Sequence, residues 1–442
     1  MEMTFNEMLG MLSLVGLLLA FVSGFPISFT MMFIGLAFGY LGIGKLVFHL
    51  MNIQFYQVMS DPVLGAIPFF LFMGYILESA GLMDNLFHSI QKLLAPVPGS
   101  LYLAIIIITA TIFAAATGIV GSSITLLCMM AGPAMARSNY DIRMGAGAIA
   151  AGGTLGILIP PSIMLVVMGP LMGVPVTDLF AGAVIPGLLL SGIYVAYSLI
   201  RCFFQPQYGP PLAKELRAES MGALVVELIK GVVPLILLIG ATLGSILAGL
   251  ATPTEASACG ALGAFLLVVC YGKFKWENLK GAMYSTAKLS AMILVMIAAS
   301  NFYGSVFSRL GGAGWLSNQL VSMSLPPMGM VILIMGLVFL LGWAMEWVPI
   351  VLITLPIMMP TVKALGIDPL WFAIVYAVTL QTSWLTPPVA LSCYFIKGCL
   401  PHWQLSDIYR GMFQYIACQA AGIALILMFP SIVTWLPSII GK

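Results

Sequence analysis

The sequence predicts an all-α polytopic membrane protein built from two inverted repeats, each with a re-entrant helical hairpin and a broken transmembrane helix. Three observations predict this fold class: an apolar composition, prolines that recur at one interval, and polar interruptions inside apolar segments. The chain has 442 residues, of which 61% are hydrophobic and 7% charged, and its mean hydropathy is +1.10. Soluble domains carry roughly 25% charged residues, so the composition excludes a soluble globular protein.

Long apolar segments predict the transmembrane helices, since a span needs about 20 mostly apolar residues. Acidic Glu2 and Glu7 stand at the start of the first segment, where a signal peptide would carry basic residues, and a second segment follows directly. We therefore expect a retained helix rather than a cleaved signal peptide. The candidate spans lie near residues 4–23, 26–46, 63–83, 144–170, 179–200, 229–250, 253–272, 288–308, 369–397 and 411–437.

Prolines recur at a fixed interval along the chain. Pro160 and Pro161 correspond to Pro387 and Pro388 at an offset of 387 − 160 = 227. The same offset relates Pro26 to Pro253, Pro133 to Pro360 and Asp141 to Asp368. Nearer the middle of the unit, Gly81 best matches Gly314, where 314 − 81 = 233, which a few residues gained in a loop would explain. We interpret the chain as a duplicated unit, with a first repeat at 1–200, a linker at 201–228 and a second repeat at 229–442.

Polar interruptions divide four of the apolar segments. Two segments, 101–136 and 329–361, are interrupted at mid-length and are predicted to return as hairpins. Two others, 144–170 and 369–397, contain the Pro-Pro pairs and are predicted to be broken helices. Non-helical backbone at membrane depth is tolerated only where it packs within protein or lines a wet cavity. The sequence therefore predicts that these interruptions form the binding region.

The interruptions in the first half combine glycines with small hydroxyl side chains. Freed carbonyls and hydroxyl oxygens suit Na⁺, and the N-terminal ends of half-helices attract a carboxylate. The alternative interpretation is that small residues only let helices approach closely. The candidate sodium and substrate residues of this half are Thr117, Gly118, Gly121, Ser122, Ser123, Gly152, Gly153, Thr154, Gly156 and Pro160, with the helix expected to unwind at 152–156.

The second half has matching interruptions, a hairpin turn at 342–349 and a break expected at 379–386. Ser300 and Asn301 interrupt a further apolar run, either to face the same cavity or to form an interhelical hydrogen bond. Glu346 would attract cations or reach external water, whereas Glu255 is expected to cap the start of a helix. The candidates of this half are Ser300, Asn301, Gly342, Met345, Glu346, Val348, Pro349, Thr379, Thr382, Ser383 and Pro387.

Lysine and arginine residues predict the orientation in the membrane. One side receives Lys92, Arg137, Arg143, Arg201, Lys214, Arg217, Lys230, Lys273, Lys275, Lys280, Lys288, Lys397 and Arg410, and the other receives Lys45, Arg309, Lys363 and Lys442. By the positive-inside rule the crowded side is cytoplasmic, which places both termini outside. Each repeat then holds an odd number of spans, so the two copies have opposite orientations.

Titratable residues are too sparse for an enzyme or a transition-metal site. The cysteines are scattered without a C-x-x-C pair, and His49, His88 and His402 stand alone. An intramembrane enzyme would need a nucleophile with a base or a metal cluster, and the segments offer little from which to build either. A subunit that only anchors partners stays open as an alternative class. The net charge of +2 does not indicate a nucleic-acid partner.

Several motifs resemble the large membrane subunit of tripartite ATP-independent periplasmic (TRAP) transporters. They are GSSIT at 121–125, AGGTLGILIPPSI at 151–163, GLATPTEASACGA at 249–261, LITLPIMMP at 352–360 and TPPVAL at 386–391. The resemblance extends over essentially the whole chain and implies an elevator-type architecture in the bacterial inner membrane. It also implies sodium-coupled uptake of an organic acid, with a periplasmic substrate-binding protein and a small four-helix membrane subunit as partners beside the lipid bilayer.

The same resemblance implies two Na⁺ sites and no organic cofactor. The first site would use Ser122, Ser123 and the 152–156 break. The second would use the carbonyls of Gly342, Met345, Val348 and Pro349 with Thr382 and Ser383. A proton-coupled or receptor-independent carrier of the same fold stays open as an alternative. The substrate is also open among dicarboxylates, sialic acid, other sugar acids, keto acids and compatible solutes.

Overall fold

The computed structural model describes residues 3–22, 24–108, 120–212, 220–343, 345–387 and 390–440. Within these ranges the regular secondary structure is helical, which confirms the predicted all-α class. Short 3₁₀ turns at Val63–Gly65 and Pro206–Tyr208 join α-helices. The first half contains α1 (Phe5–Val22), α2 (Ile27–Ile43), α3 (Leu46–Ser60), α4 (Ala66–Ser79), α5 (Leu82–Leu94), α6 (Ser100–Ile108), α7 (Val120–Arg137), α8 (Ile142–Leu155), α9 (Ile163–Met172) and α10 (Val176–Phe204).

The second half continues in the same manner from residue 221. It contains α11 (Met221–Gly231), α12 (Val233–Leu247), α13 (Pro253–Cys270), α14 (Trp276–Arg309), α15 (Gly312–Ser322), α16 (Pro327–Leu341), α17 (Trp347–Ala364), α18 (Pro369–Leu385), α19 (Leu391–Cys399), α20 (Leu405–Met428) and α21 (Ser431–Ile440).

Several of these helices are long and apolar enough to cross a membrane. The described part of the chain has 6 such helices, with α11 and α12 counted as one, or up to 7 if one bent pair is a single span. Shorter apolar helices include α1 and α2, which correspond to the first two predicted spans, and α16, which lies in the second predicted hairpin. The chain is therefore a multi-pass membrane protein.

The predicted hairpins correspond to α6 with α7 and to α16 with α17, and the predicted broken helices to α8 with α9 and to α18 with α19. The turn of the first hairpin, including Thr117 and Gly118, lies outside the described residues. The turn of the second runs from Gly342 to Glu346, of which residue 344 is not described.

Two aspartates begin the two broken helices in the same way. Asp141 precedes α8 and its Oδ1 accepts a hydrogen bond from the backbone N–H of Met144 at 2.9 Å. Asp368 precedes α18 and its Oδ1 accepts one from the N–H of Leu370 at 2.8 Å. An aspartate at this position satisfies N–H groups that have no partner within the helix. The predicted correspondence of Asp141 with Asp368 thus has a matching local structure.

A bend distinguishes the two halves. Helices α3 and α4 meet at 57°, whereas the corresponding residues of the second half form one helix, α14. Residues 46–79 of the first half correspond to residues 276–309 of the second, because both ends differ by 230 (276 − 46 and 309 − 79). At this offset Gly81 matches Gly311 rather than Gly314, and both glycines precede a helix with positive φ, +64° and +84°. Gly314 lies inside α15, so the expected match at 233 is wrong.

The broken helices α8 and α18 lie in the core. Every residue of α8 from Met144 to Leu155 is buried, and so is every residue of α18 from Trp371 to Leu385. A helix that is buried on all sides is surrounded by other helices rather than by lipid. The fold therefore places the C-terminal ends of both helices, where the breaks begin, inside the protein.

Candidate functional site

The first helix break begins later than the sequence predicts. Helix α8 ends at Leu155, and Gly156–Ser162 form a non-helical segment before α9. The expectation that Gly152, Gly153 and Thr154 are unwound is wrong, because they form the last turn of α8. A Cβ added to Gly153 would overlap Cγ1 of Ile124 in α7, so this glycine serves close helix approach.

The prolines explain where α8 stops. A proline ring clashes with the carbonyl four residues earlier and disfavours helical backbone in the preceding residue. Pro160 and Pro161 therefore exclude a regular helix through Gly156 and Ile157. Inside the break, the hydroxyl of Ser162 donates to the carbonyl of Ile157, and the whole of 156–162 is buried. The predicted candidates Gly156 and Pro160 lie within this break.

The second break also begins later than expected. Helix α18 continues to Leu385, so the expected unwinding of Thr379, Thr382 and Ser383 is wrong. Their hydroxyls donate to carbonyls three or four residues earlier, at 2.8, 3.2 and 2.7 Å respectively. Such bonds let hydroxyl side chains remain inside a helix. The break begins at Thr386, which is extended, and includes the predicted candidate Pro387.

The tip of the second hairpin lies directly on α18. A Cβ added to Gly342 would overlap Oγ and Cβ of Ser383, which is fully buried. Gly342 and Met345 lie between α16 and α17, whereas Val348 and Pro349 belong to the first turn of α17. Carbonyls in that turn accept bonds from the next turn. The predicted carbonyl ligands Val348 and Pro349 therefore lie in regular helix, while Gly342 and Met345 lie outside it.

The first hairpin reaches the second break through an aromatic pair. A Cβ added to Gly121 would lie 2.5 Å from Cζ of Phe395 in α19. The ring of Phe395 stacks on Trp384 at the end of α18, with centroids 6.4 Å apart and an interplanar angle of 8°. Beside Gly121, Ser122 is half-buried and Ser123 buried, both in the first turn of α7. The structure therefore brings residues of both halves together at the second break.

Buried donors accompany these contacts. The indole N–H groups of Trp343, in the second hairpin tip, and Trp384 are buried without a hydrogen-bond partner among the described residues. N–H groups of this kind suit a carboxylate, which only accepts hydrogen bonds. Neither tryptophan was among the predicted site residues. The sequence has 8 tryptophans and is 11% aromatic, so nothing in it set these two apart from the others.

The remaining polar candidates differ in how far they are buried. Ser300 is buried and its hydroxyl donates to the carbonyl of Leu352, so it joins α14 to α17 as the interhelical interpretation expects. Asn301 lines a cavity of about 660 Å³ together with Arg309 and Lys363. Glu346 is exposed at the start of α17.

Glu255 caps a helix, as the sequence analysis expects. The hydroxyl of Thr252 accepts from the N–H of Glu255 at 3.3 Å, and the Glu255 carboxylate accepts from the N–H of Thr252 at 2.8 Å. This reciprocal arrangement is a capping box.

Among the described residues, no group of three or more His, Cys, Asp or Glu could hold a metal ion. The polar atoms near the breaks are thus mostly hydroxyl and carbonyl oxygens.

Comparisons with known proteins match almost the whole chain. The family model described as "Tripartite ATP-independent periplasmic transporter, DctM component" matches residues 14–432. The C4-dicarboxylate TRAP transporter large permease protein DctM of Rhodobacter capsulatus is 28% identical over 446 residues, covering 97% of this chain and 99% of that protein. The sialic acid TRAP transporter large permease protein SiaM of Vibrio cholerae is 27% identical over 431 residues, covering 97% and 98%.

A solved structure shares the fold. The YdaH transporter of Alcanivorax borkumensis aligns with a TM-score of 0.64 and 16% identity, over 88% of this chain and 89% of that one. At this identity the likeness concerns the arrangement of helices alone.

Proposed function

Since the chain belongs to the DctM component family of tripartite ATP-independent periplasmic transporters, we propose that it carries an organic acid across the membrane by sodium symport. Membership makes it a transporter permease and not an enzyme. The observation that carries the proposal is the meeting of each hairpin with a broken helix of the core. Such a site supplies bare carbonyls, hydroxyls and helix ends at membrane depth.

The proposed substrate is a carboxylate. Two relatives of the chain are named for C4-dicarboxylates and sialic acid, both of which are organic acids. The buried indole N–H groups of Trp343 and Trp384 support this class, because they lack acceptors among the described residues. Dicarboxylates, sugar acids and keto acids all satisfy this chemistry.

The proposed second sodium site lies where the second hairpin tip covers α18. Ser383 donates its hydroxyl proton to the carbonyl of Leu380, which leaves oxygen lone pairs for a cation. Thr382 does the same toward Val378. The carbonyls of Gly342 and Met345 would complete the site from the hairpin side. The proposed first site uses Ser122 and Ser123 with the end of α8 and the Gly156–Ser162 break.

We further propose that the hairpins and broken helices move together, as an elevator, against the remaining helices. The matching caps Asp141 and Asp368 support the inverted repeats on which this motion depends. The two hairpins also pack differently on their surroundings. Helix α17 contacts α14 and α15, whereas a cavity of about 430 Å³ lies between α5 and α7. If the hairpins and broken helices are displaced together toward one face of the membrane, the two equivalent hairpins are expected to pack differently on the remaining helices.

The family also supports the proposed partners and location. A TRAP large permease would work with a small four-helix membrane subunit and a periplasmic substrate-binding protein in the bacterial inner membrane. The distribution of lysine and arginine supports periplasmic termini. Lys92 and Arg137, on the predicted cytoplasmic side, line the same cavity.

Uptake by the reconstituted three-part system tests this function. Substrate should accumulate in proteoliposomes when a sodium gradient is imposed and fail to do so with a proton gradient alone or without the soluble receptor. Ser383→Ala should raise the half-saturating sodium concentration roughly tenfold, equivalent to about 1.4 kcal/mol of lost binding.

Ser257→Ala is the matched control for this variant. Ser257 is fully buried like Ser383 and donates to a carbonyl three residues earlier, but it lies in α13. Its sodium titration should equal that of the unmodified protein. Uptake driven equally well by protons, or an unchanged titration in Ser383→Ala, would contradict the proposal.

A further inference from the structure

A buried glutamine joins the two broken helices. Nε2 of Gln381 in α18 donates to the backbone carbonyl of Thr154 in α8 at 3.0 Å, and both residues are fully buried. Thr154 lies in the last turn of α8, where carbonyls lose their intrahelical partners. The N–H of Ile157 reaches the same carbonyl at 3.3 Å. The N–H of Gly156 is also directed at this carbonyl. Gln381 therefore adds a side-chain donor to a carbonyl at the edge of the first break.

The two residues occupy equivalent positions in the two halves. Their separation is 381 − 154 = 227, the offset that relates Asp141 to Asp368. Around a two-fold axis, a position touches its own equivalent only where it lies close to the axis. The contact between Thr154 and Gln381 therefore marks the centre at which the halves meet. This hydrogen bond is a direct contact between the two helices that break.

A second glutamine holds the first in place. Nε2 of Gln419 in α20 donates to Oε1 of Gln381 at 3.1 Å and to the carbonyl of Val378 at 3.3 Å. Because Oε1 of Gln381 accepts this bond, its amide nitrogen is the atom directed at Thr154. Gln419 is also fully buried. Three helices are thus joined by one chain of amide hydrogen bonds.

Each end of this chain adjoins a hairpin. Gly153, next to Thr154, packs on Ile124 of α7. Ser383, two residues after Gln381, packs on Gly342 of the second hairpin tip. The hydrogen bond therefore lies between the two regions proposed above as sodium sites. Buried polar side chains in membrane segments are costly, so a position within a site is a good reason for their presence.

We propose that Gln381 is a positioning residue that couples the two proposed sodium sites, so that sodium at one site raises sodium affinity at the other. The inference rests on the proposed sodium symport. Sodium at either site would order the helix end beside it. The hydrogen bond from Gln381 to Thr154 would then hold the other helix end in the arrangement that binds sodium. A second ion then binds a site that is already ordered, which is positive cooperativity through a coupling free energy.

Sodium titration of Gln381→Met in the complete reconstituted system tests the coupling. Methionine has nearly the same length and no donor, so it removes the bond to Thr154 and keeps the volume. We expect the Hill coefficient for sodium to fall and the half-saturating concentration to rise several-fold. Two independent sites that must both be filled still give a coefficient above 1 in uptake, so the readout is the fall relative to the unmodified protein. Gln419→Met should produce a smaller change in the same direction, and the double variant should be no worse than Gln381→Met.

Thr286→Val serves as the control for a buried polar group outside the network. Thr286 lies in α14 and its hydroxyl has no hydrogen-bond partner among the described residues. This variant should leave the Hill coefficient unchanged even if it alters the melting temperature. If Gln381→Met does not accumulate in the membrane, Gln419→Met decides the question by the same measurement.

The outcomes separate this inference from the proposed function. Uptake that is independent of sodium in the unmodified protein overturns the symport proposal. Sodium-dependent uptake with a Hill coefficient of 1 in the unmodified protein overturns the coupling alone. The coupling alone is also overturned if the Hill coefficient of Gln381→Met equals that of the unmodified protein, or if Gln381→Met and Gln419→Met have additive effects.

Discussion

Gly342 has no space for a side chain, because Ser383 lies directly against its α-carbon. Gly342→Ala would force the hairpin tip away from α18 by the size of a methyl group. If the tip carbonyls and Ser383 share a sodium ion, this displacement lengthens every bond across the site. We therefore expect a rise of roughly tenfold or more in half-saturating sodium, equivalent to about 1.4 kcal/mol, when uptake is titrated in proteoliposomes.

Gly336→Ala, in the helix that leads to the tip, provides the matched comparison. No atom lies within 4 Å of a Cβ added to Gly336 in α16. Alanine is also the better helix former, so this variant should fold at least as well as the unmodified protein. Equal sodium affinity in Gly342→Ala and Gly336→Ala would show that the tip does not contribute to the ion site.

Individual residues show where sequence reasoning reached its limit. Ser383 and Thr382 could be predicted as polar oxygens in an apolar segment, but the sequence did not show whether their hydroxyls replace helix bonds or coexist with them. The structure has them donating within an intact α18. Gln381 stood in the same segment, and its partner Thr154 lies 227 residues away. Only the folded chain identifies which carbonyl its amide meets.

At the scale of elements, the capping box of α13 offers a test of stability without a test of transport. Thr252→Ala removes the side chain that accepts from the N–H of Glu255. Loss of such a cap costs about 1 kcal/mol, so the melting temperature in detergent should fall. Sodium affinity should not change, because the box is exposed at the start of α13.

Glu255→Gln is the control for this prediction, since glutamine at the same position can also close a capping box. It should melt close to the unmodified protein. A large loss of sodium affinity in Glu255→Gln would instead assign the carboxylate to ion binding, contrary to the capping role.

The first break begins at Gly156 and the second at Thr386, about one and two helical turns after the expected starts at 152 and 379. That each helix breaks near its proline pair was predictable, because prolines end helices for steric reasons. The extent of each break was not, since glycines and hydroxyls are compatible with both helix and loop. The bend between α3 and α4 has a local cause that the sequence analysis missed. Pro62 follows Asp61 at this point, and Asp61 accepts from the N–H of Val63 at 2.9 Å. The equivalent residues of α14, Ala291 and Met292, impose no such restriction.

At the scale of the whole molecule, the elevator proposal requires the contacts between α14 and α17 to break in each cycle. Gly304 of α14 lies beside Pro356 of α17, and a Cβ added to Gly304 would be 3.3 Å from Cβ of Pro356. This spacing is close to that of a disulfide, about 3.5–4.5 Å between Cβ atoms. In a background without the seven native cysteines, oxidation of Gly304→Cys/Pro356→Cys should abolish sodium-driven uptake, and reduction should restore it.

A second cysteine pair, within the proposed static part, is the control. It shows whether uptake is lost because helices are immobilised or because cross-linking damages the protein. A Cβ added to Gly10 of α1 would lie 3.5 Å from Cβ of Leu310, at the end of α14. Gly10→Cys/Leu310→Cys should therefore cross-link equally well and leave uptake unchanged, since both helices belong to the part against which the block slides. Suppose that the oxidised, cross-linked Gly304→Cys/Pro356→Cys protein transported as fast as the same protein after reduction. Helices α14 and α17 would then move as one body, and the proposed division of the molecule would be wrong.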